Sequence, residues 1–387
     1  MNLSLTPKVL RWARERAGLD QSTLAKKVIG KPTAERVKEW EQTGVLTFVQ
    51  ARKLAHATHT PEGFLYLNEP PEDRLPIPDF RTVRDEPVRH PSPDLLDTVY
   101  MMQRRQTWMR DFLIEEGEAQ LAFIGSSTLN SNPQRVAADI RKTLGIGDGW
   151  ANEESTWTDA LMRLRQKIEA AGILIVINGV VGNNNYRKLD PDEFRGFVLS
   201  DVYAPLVFIN GADFKAAQMF TIAHEVAHLW INKDGVSNFE AMQPPPIPVE
   251  QWCNKVAAEF LVPAAELSKV WDHARQSKEP YQSLAARFKV STIVAARRAL
   301  DLDLISKKQF FDFYEAYQKD ERRKKESKKN KGGDFWNTQN VRVGQRFGTA
   351  VVRAAKEGRL LYREAYQLTG LTGRTFDRFA ENLGFKV

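Results

Sequence analysis

Cysteine is nearly absent from this chain of 387 residues. The single cysteine, Cys253, has no partner within the chain, which excludes an internal disulfide framework and favours a reducing compartment. No run of 18 or more apolar residues occurs, so no transmembrane helix and no membrane partner are expected. The first residues also lack a basic stretch followed by an apolar run, which argues against secretion. We therefore expect a cytoplasmic protein.

Acidic residues are outnumbered by basic ones. The chain carries 56 Lys and Arg against 49 Asp and Glu, a net charge of +7 that suggests a polyanionic partner. Hydrophobic residues make up 42%, which is typical of a globular protein and excludes wholesale disorder. A chain of this length is expected to fold as two or three domains.

Histidine is also scarce, with six in the chain, yet two of them stand four residues apart as His224-Glu225-x-x-His228. On an α-helix such residues lie on one face about one turn apart, so both can hold one metal ion. Glu225 can direct its carboxylate at a metal-bound water, which predicts a zinc site with a general base. The alternative is a structural histidine pair, but the neighbouring residues are those of a core helix, where ionisable side chains are costly unless paired or metal-bound.

A catalytic zinc usually has three protein ligands and one position open for water. Glu259 lies in an apolar helical stretch, Val256-Ala-Ala-Glu-Phe-Leu-Val262, where an unpaired carboxylate is unusual. This makes Glu259 the predicted third ligand. Four further residues could take this place instead: His273, Glu250, Glu240 and Cys253.

Three strands are predicted before the histidine helix, at residues 173–178, 194–200 and 204–210, because each is a short apolar run bounded by turn residues. The part of the second strand at 196–200 is expected to lie at the sheet edge, where a substrate segment could add as a further strand. A small sheet followed by a metal-binding helix is the arrangement expected of a small zinc peptidase.

The sequence from residue 160 to about 300 resembles the ImmA/IrrE metallopeptidases. The resemblance rests on Phe-Thr-Ile-Ala-His-Glu-Val-Ala-His-Leu at 220–229 and Asn-x-x-Ala-Ala-Glu-Phe-Leu-Val-Pro at 254–263. It implies Zn²⁺ bound by His224, His228 and Glu259, with Glu225 activating water. It also implies cleavage of a helix-turn-helix repressor in a phage, mobile-element or stress-response switch. Some fused relatives neighbour PIN-like toxins, which leaves an antitoxin role as the alternative.

The first 70 residues are predicted to form five short helices, which suggests a helix-turn-helix module. Gln-x-x-Leu-Ala at 21–25 and Trp-Glu-x-x-Gly at 40–44 resemble the XRE family, and residues 1–66 hold eleven basic against six acidic residues. The resemblance implies DNA binding, with Gln21 near a phosphate and Thr33, Arg36 and Lys38 facing bases or phosphates. The alternative is a helical module used for protein contacts alone, for example with a cognate toxin or antitoxin.

Taken together, these patterns predict an α+β protein that is mostly α. Five regions are expected: an XRE-like domain (1–70), a proline-rich connector and helical region (71–154), a zincin-like metallopeptidase domain with a small sheet (155–300), a helix and basic connector (301–334) and a helical C-terminal domain (335–387). The basic run at 319–331 is expected to be a solvated helix end and connector, with a nucleic-acid contact as its alternative.

Overall fold

A computed structural model describes residues 2–80, 82–83, 86–87, 91–237, 247–319 and 335–386. Two of the predicted features, Glu240 and the basic run after Lys319, lie outside these residues. The chain divides into two compact units. Unit 1 comprises Met1–Pro76 and Val88–Tyr100, and unit 2 comprises Ile77–Pro87 and Met101–Val387.

Unit 1 is a small bundle of four α-helices and one 3₁₀ helix, in the region where five short helices are predicted. Asp20 begins its second helix by accepting a hydrogen bond from the backbone N–H of Thr23, and Gly44 ends the third in the left-handed region at φ 72°. A β-carbon at Gly44 would overlap the carbonyl oxygen of Leu5, so only glycine fits there. The elements are β1 (Asn2–Ser4), α1 (Pro7–Arg16), α2 (Gln21–Ile29), α3 (Ala34–Thr43), β2 (Val45–Thr47), α4 (Phe48–Ala57) and a 3₁₀ helix (Glu62–Tyr66).

The core of unit 1 is centred on Trp40, which is fully buried among the apolar faces of the four helices. Beside it the buried carboxylate of Glu41 accepts hydrogen bonds from Arg14 Nε at 2.5 Å and Gln21 Nε2 at 2.9 Å. A buried carboxylate is costly unless it is paired, so these two contacts account for its position.

Unit 2 contains one four-stranded sheet with helices packed against it, and α5 is shared between the two units. Its first elements are β3 (Thr82–Val83), β4 (Glu86–Pro87), α5 (Pro93–Glu115), α6 (Pro133–Leu144), a 3₁₀ helix (Trp150–Glu153), α7 (Trp157–Ala170), β5 (Leu174–Asn178), β6 (Val180–Val181), β7 (Asn184–Lys188), β8 (Gly196–Leu199), β9 (Leu206–Asn210), α8 (Lys215–Trp230) and β10 (Gly235–Ser237). The remaining elements are α9 (Pro248–Leu261), α10 (Ala264–Ala274), α11 (Pro280–Phe288), α12 (Thr292–Asp301), α13 (Lys307–Lys319), α14 (Phe335–Val343), α15 (Gln345–Lys356), α16 (Tyr362–Thr369) and α17 (Arg374–Asn382).

The sheet has the order β10-β8-β9-β5, with β5 and β9 parallel and the other neighbours antiparallel. The three predicted strands are confirmed as β5, β8 and β9. The prediction that residues 196–200 form the sheet edge is wrong, because β10 pairs along the outer side of β8 and is itself the edge. The short β10 was not predicted, since three residues after a helix carry too little periodicity to identify a strand.

Helix α8 packs against the sheet on one side and against α9 on the other, and α6 packs on α9. Apolar side chains of these elements form one continuous core, which includes Ile222, Val226 and Leu229 of α8. The three residues of the histidine motif are therefore held inside a packed interior, at the contact between α8 and α9.

The C-terminal helices are part of unit 2. Helix α14 packs against β5, and the backbone N–H groups of Gln345 and Arg346 donate to the buried carboxylate of Glu169 on α7. From α5, the buried guanidinium of Arg105 donates to the carbonyl oxygens of Arg342 and Leu368, each at 2.9 Å. These contacts tie segments far apart in sequence to one core.

The secondary structure is mostly helical with a small mixed sheet, which confirms the predicted α+β class. Within the part of the chain that the structure describes, no helix combines the length and apolar character needed to cross a bilayer.

Candidate metal centre

His224 and His228 lie one turn apart on α8, and both are fully buried. Their Nε2 atoms are 3.0 Å apart, and the ring centroids are 4.8 Å apart. Burial lowers the pKa of His224 and so favours its neutral form, although Glu250 beside it acts in the opposite direction. A neutral ring offers its unprotonated nitrogen to a metal.

Glu250, in the first turn of α9, supplies a carboxylate to the same point. Its Oε2 lies 3.2 Å from His224 Nε2, and its Oε1 lies 3.1 Å from His228 Nε2. Burial opposes ionisation of Glu250, but the two histidines beside it outweigh this effect and lower the pKa of this carboxyl. The structure thus brings together the two predicted histidines, His224 and His228, with Glu250, which the sequence left open as a third ligand.

Asn254 orients one of the histidines and was not among the predicted site residues. His224 Nδ1 lies 2.9 Å from Asn254 Oδ1, so the Nδ1–H donates to the amide oxygen and Nε2 is left as the metal-facing atom. Asn254 stands four residues after Glu250, on the same face of α9. That spacing was the signal in the sequence that could have identified it.

Glu225 is fully buried, and neither of its carboxylate oxygens has a hydrogen-bond partner among the described residues. Burial and the nearby charge of Glu250 raise the pKa of Glu225 well above its usual value, while the Ser237 hydroxyl acts weakly against this. Gly196 of β8 lies directly above, because a β-carbon there would stand 3.0 Å from Glu225 Oε1. A buried carboxyl without partners is typical of a functional group.

Glu259, the predicted third ligand, is engaged elsewhere. Its carboxylate pairs with the buried guanidinium of Arg298 and accepts a hydrogen bond from the backbone N–H of Ala264, the first residue of α10. Glu259 follows Glu250 by nine residues, which on an α-helix places the two about 180° apart around the axis. The structure therefore places Glu250, and not Glu259, beside the two histidines. Glu259 is buried because it is paired with Arg298 and lies at the start of a helix, where the helix dipole favours an anion.

Cys253 and His273 are weaker candidates for the third ligand. Cys253 is buried, and its sulfur is within 4.8 Å of ligand nitrogens of both histidines. Burial and the neighbouring carboxylates raise the pKa of this thiol well above its usual value, which disfavours the thiolate that binds metals. His273 is exposed in the last turn of α10. Glu250, whose oxygens face both histidines, is the better ligand.

The donor set fits zinc. Two imidazole nitrogens and a carboxylate are the ligands of many catalytic zinc sites, and around a tetrahedral ion with bonds of ~2.0–2.1 Å adjacent donors lie about 3.3 Å apart. The observed separations between the two Nε2 atoms and the Glu250 oxygens are 3.0–3.2 Å. Three buried donors at this spacing, with an unpartnered carboxyl beside them, are arranged for one metal ion.

The residues predicted to contact DNA lie in unit 1. Thr33, Arg36 and Lys38 are exposed, and Arg36 pairs with Glu39 one turn along α3. Gln21 is half-buried and donates its amide to Glu41, so it serves the interior of unit 1. DNA contact by these residues stays a prediction.

Comparison with known proteins gives two family matches. Residues 343–382 match a domain of unknown function, DUF8813. No curated protein matches the chain. Residues 168–300, which contain the histidine helix and all of α9, match the model of the IrrE N-terminal-like domain, Peptidase_M78, and this match supports the assignment of this region to the ImmA/IrrE metallopeptidase family.

Proposed function

We propose that the chain is a zinc-dependent endopeptidase whose metal is held by His224, His228 and Glu250. The observation that carries the proposal is the convergence of these three donors beside the unpartnered carboxyl of Glu225. A zinc ion bound there supplies a water of lowered pKa and polarises the scissile carbonyl.

Glu225 acts as the general base and acid of the reaction. Its carboxylate accepts a proton from the attacking water and later delivers it to the leaving amine. The packed core around α8 keeps the carboxyl in place and excludes bulk water from it.

The proposed substrate is a regulatory protein, in first place a helix-turn-helix repressor, in a phage, mobile-element, stress-response or toxin–antitoxin switch. Support comes from the family match of residues 168–300 together with the net positive helical unit 1 on the same chain. Such a unit can guide the peptidase to proteins that act on DNA.

The test compares zinc-loaded wild-type protein with the Glu225→Gln variant, which keeps all three ligands. Both are incubated with lysate of cells that express the chain, and newly formed protein N-termini are identified by mass spectrometry. We expect termini from one or a few regulators with the wild type and none with the variant. Equal termini in both samples would exclude Glu225-dependent proteolysis.

A second candidate function is that of a DNA-binding regulator or antitoxin in which the peptidase fold serves as a sensor or scaffold. Exposed apolar side chains in unit 1, Val45, Phe48 and Val49, favour a protein partner such as a PIN-like toxin. A DNA mobility-shift assay with Arg36→Ala and Lys38→Ala tests the DNA branch: unchanged binding in both variants, or no binding by the wild type, removes it.

A further inference from the structure

The edge strand β10 is covered by a segment of the same unit. Val236 N–H donates to the carbonyl oxygen of Pro78 at 3.1 Å, and Phe80 N–H donates to the carbonyl oxygen of Val236 at 3.0 Å. Asp79 thereby forms a parallel bridge with Val236. The segment Ile77–Phe80 adds to the sheet as an extended peptide does when it binds a strand edge.

The ring of Phe80 lies on the metal centre. It stacks on the imidazole of His228 with ring centroids 6.0 Å apart and an interplanar angle of 12°. The ring also lies against Gly235, where a β-carbon would overlap the ring atoms. The aromatic side chain therefore lies beside both a metal ligand, His228, and Gly235. The ring fits there only because Gly235 has no side chain.

The same edge lies over the general base. Within the sheet, Ser237 of β10 stands opposite Gly196 of β8, where an added β-carbon would stand 3.0 Å from Glu225 Oε1. A peptide bound along β10 thus runs past both His228 and the strand pair above Glu225. This is where a substrate must lie for water activated beside Glu225 to reach its main chain.

We propose that β10 is the peptide-binding strand of the enzyme, that it accepts an extended segment with an aromatic side chain beside His228, and that Ile77–Phe80 is an internal segment competing for this position. The proposal rests on the peptidase function and adds a substrate class to it. Gly235 is the specificity-determining residue, because any larger side chain there excludes the ring. The internal segment keeps the centre closed until a tighter-binding aromatic segment replaces it.

The test measures binding, in full-length zinc-loaded protein carrying Glu225→Gln so that nothing is cleaved. The probe is a fluorescent hexapeptide with the sequence of residues 75–80, Leu-Pro-Ile-Pro-Asp-Phe. With Phe80→Ala added, we expect this peptide to bind at least about tenfold more tightly, because an internal competitor that occupies the edge nine-tenths of the time reduces apparent affinity by that factor.

Matched controls separate the proposal from a general loosening of the fold. Phe311→Ala makes the same change at a half-exposed phenylalanine on α13 and should leave peptide binding unchanged. A probe with alanine in place of its phenylalanine should gain nothing from Phe80→Ala. Adding Gly235→Ala to Phe80→Ala should abolish the gain. An equal gain in either control, or no gain with Phe80→Ala, overturns the proposal.

Amide hydrogen exchange provides an independent readout. The Val236 N–H should exchange at least about tenfold faster in Phe80→Ala than in the otherwise identical protein, because its bond to Pro78 is released for a larger fraction of the time. Unchanged protection of Val236 would show that the Phe80 ring does not hold the segment on β10, which overturns the proposal. Peptide binding and hydrogen exchange are both measured without cleavage. A negative result in the peptidase assay therefore does not contradict them, and negative results in these two measurements do not contradict the peptidase assay.

Discussion

Two buried glutamates lie on opposite faces of α9 and have different partners. Glu250 faces α8, and its two carboxylate oxygens lie beside the two histidines. Glu259, on the opposite face, pairs with Arg298 and accepts a hydrogen bond from the first residue of α10. Both are surrounded by apolar residues, and both are buried. Burial of a carboxylate therefore does not identify a ligand. Its partner does: a fixed cation indicates a structural ion pair, and two histidines facing the carboxylate indicate a metal site.

The most direct test of this comparison replaces each glutamate by glutamine, which removes the negative charge and keeps the size of the side chain. We expect Glu250→Gln to reduce zinc from about one ion per chain to near zero at stoichiometric metal, because only two strong ligands remain. Glu259→Gln should retain the ion. Zinc is measured by elemental analysis after gel filtration, and loss of zinc in Glu259→Gln with retention in Glu250→Gln would reverse the assignment.

Stability should show the opposite order. In the metal-free protein, Glu259→Gln leaves the Arg298 charge buried and unpaired, which is expected to lower the free energy of unfolding by about 3–5 kcal/mol in urea titrations. The double variant Glu259→Leu with Arg298→Met should recover most of this loss, since no buried charge remains. If the double variant is as unstable as the single one, packing and not the ion pair explains the result.

Asn254 lies on the same face of α9 as Glu250 and makes a second contact with His224. Asn254→Ala removes the acceptor that fixes the His224 ring and should weaken zinc affinity about 10–100-fold in a chelator competition. Asn254→Asp keeps an acceptor oxygen and should retain most of the affinity. Unchanged affinity in Asn254→Ala would show that packing alone orients His224.

Cys253 gives the smallest expected effect. It lies near the histidines, yet its thiol stays protonated in the buried metal-free site, so Cys253→Ala should keep the zinc and cost about 1 kcal/mol of stability for the lost packing. Cobalt-substituted wild type should show no thiolate-to-metal charge-transfer band. A band that disappears in Cys253→Ala would add the cysteine to the ligand set.

The histidine motif could be predicted from the sequence because its three residues lie within five positions of one helix. His224, Glu225 and His228 lie on consecutive turns of one helix, so their spacing alone sets their relation. The strands β5, β8 and β9 also follow from apolar runs that are complete within a few residues. The helix-turn-helix identity of unit 1 and its DNA contacts stay predictions.

The sequence could not show which acid of α9 lies beside the histidines, because both acids have apolar neighbours and these do not distinguish between them. Helical phase separates them: Glu250, Cys253 and Asn254 fall on one face, and Glu259 falls opposite. Which face of α9 contacts α8 depends on the tertiary packing of both helices on the core. The bridge between Asp79 and Val236 likewise joins segments about 157 residues apart, which no local pattern records.

The bonds from Arg105 to Arg342 and Leu368 also bear on how the protein is made. During synthesis the histidine helix and both faces of α9 leave the ribosome well before the carbonyl groups that satisfy this guanidinium. Until then a strongly polar group and the side of β5 that packs on α14 stay without their native partners. We expect nascent chains that end near residue 300 to be sensitive to proteases, and maturation of the peptidase to wait for the last helices.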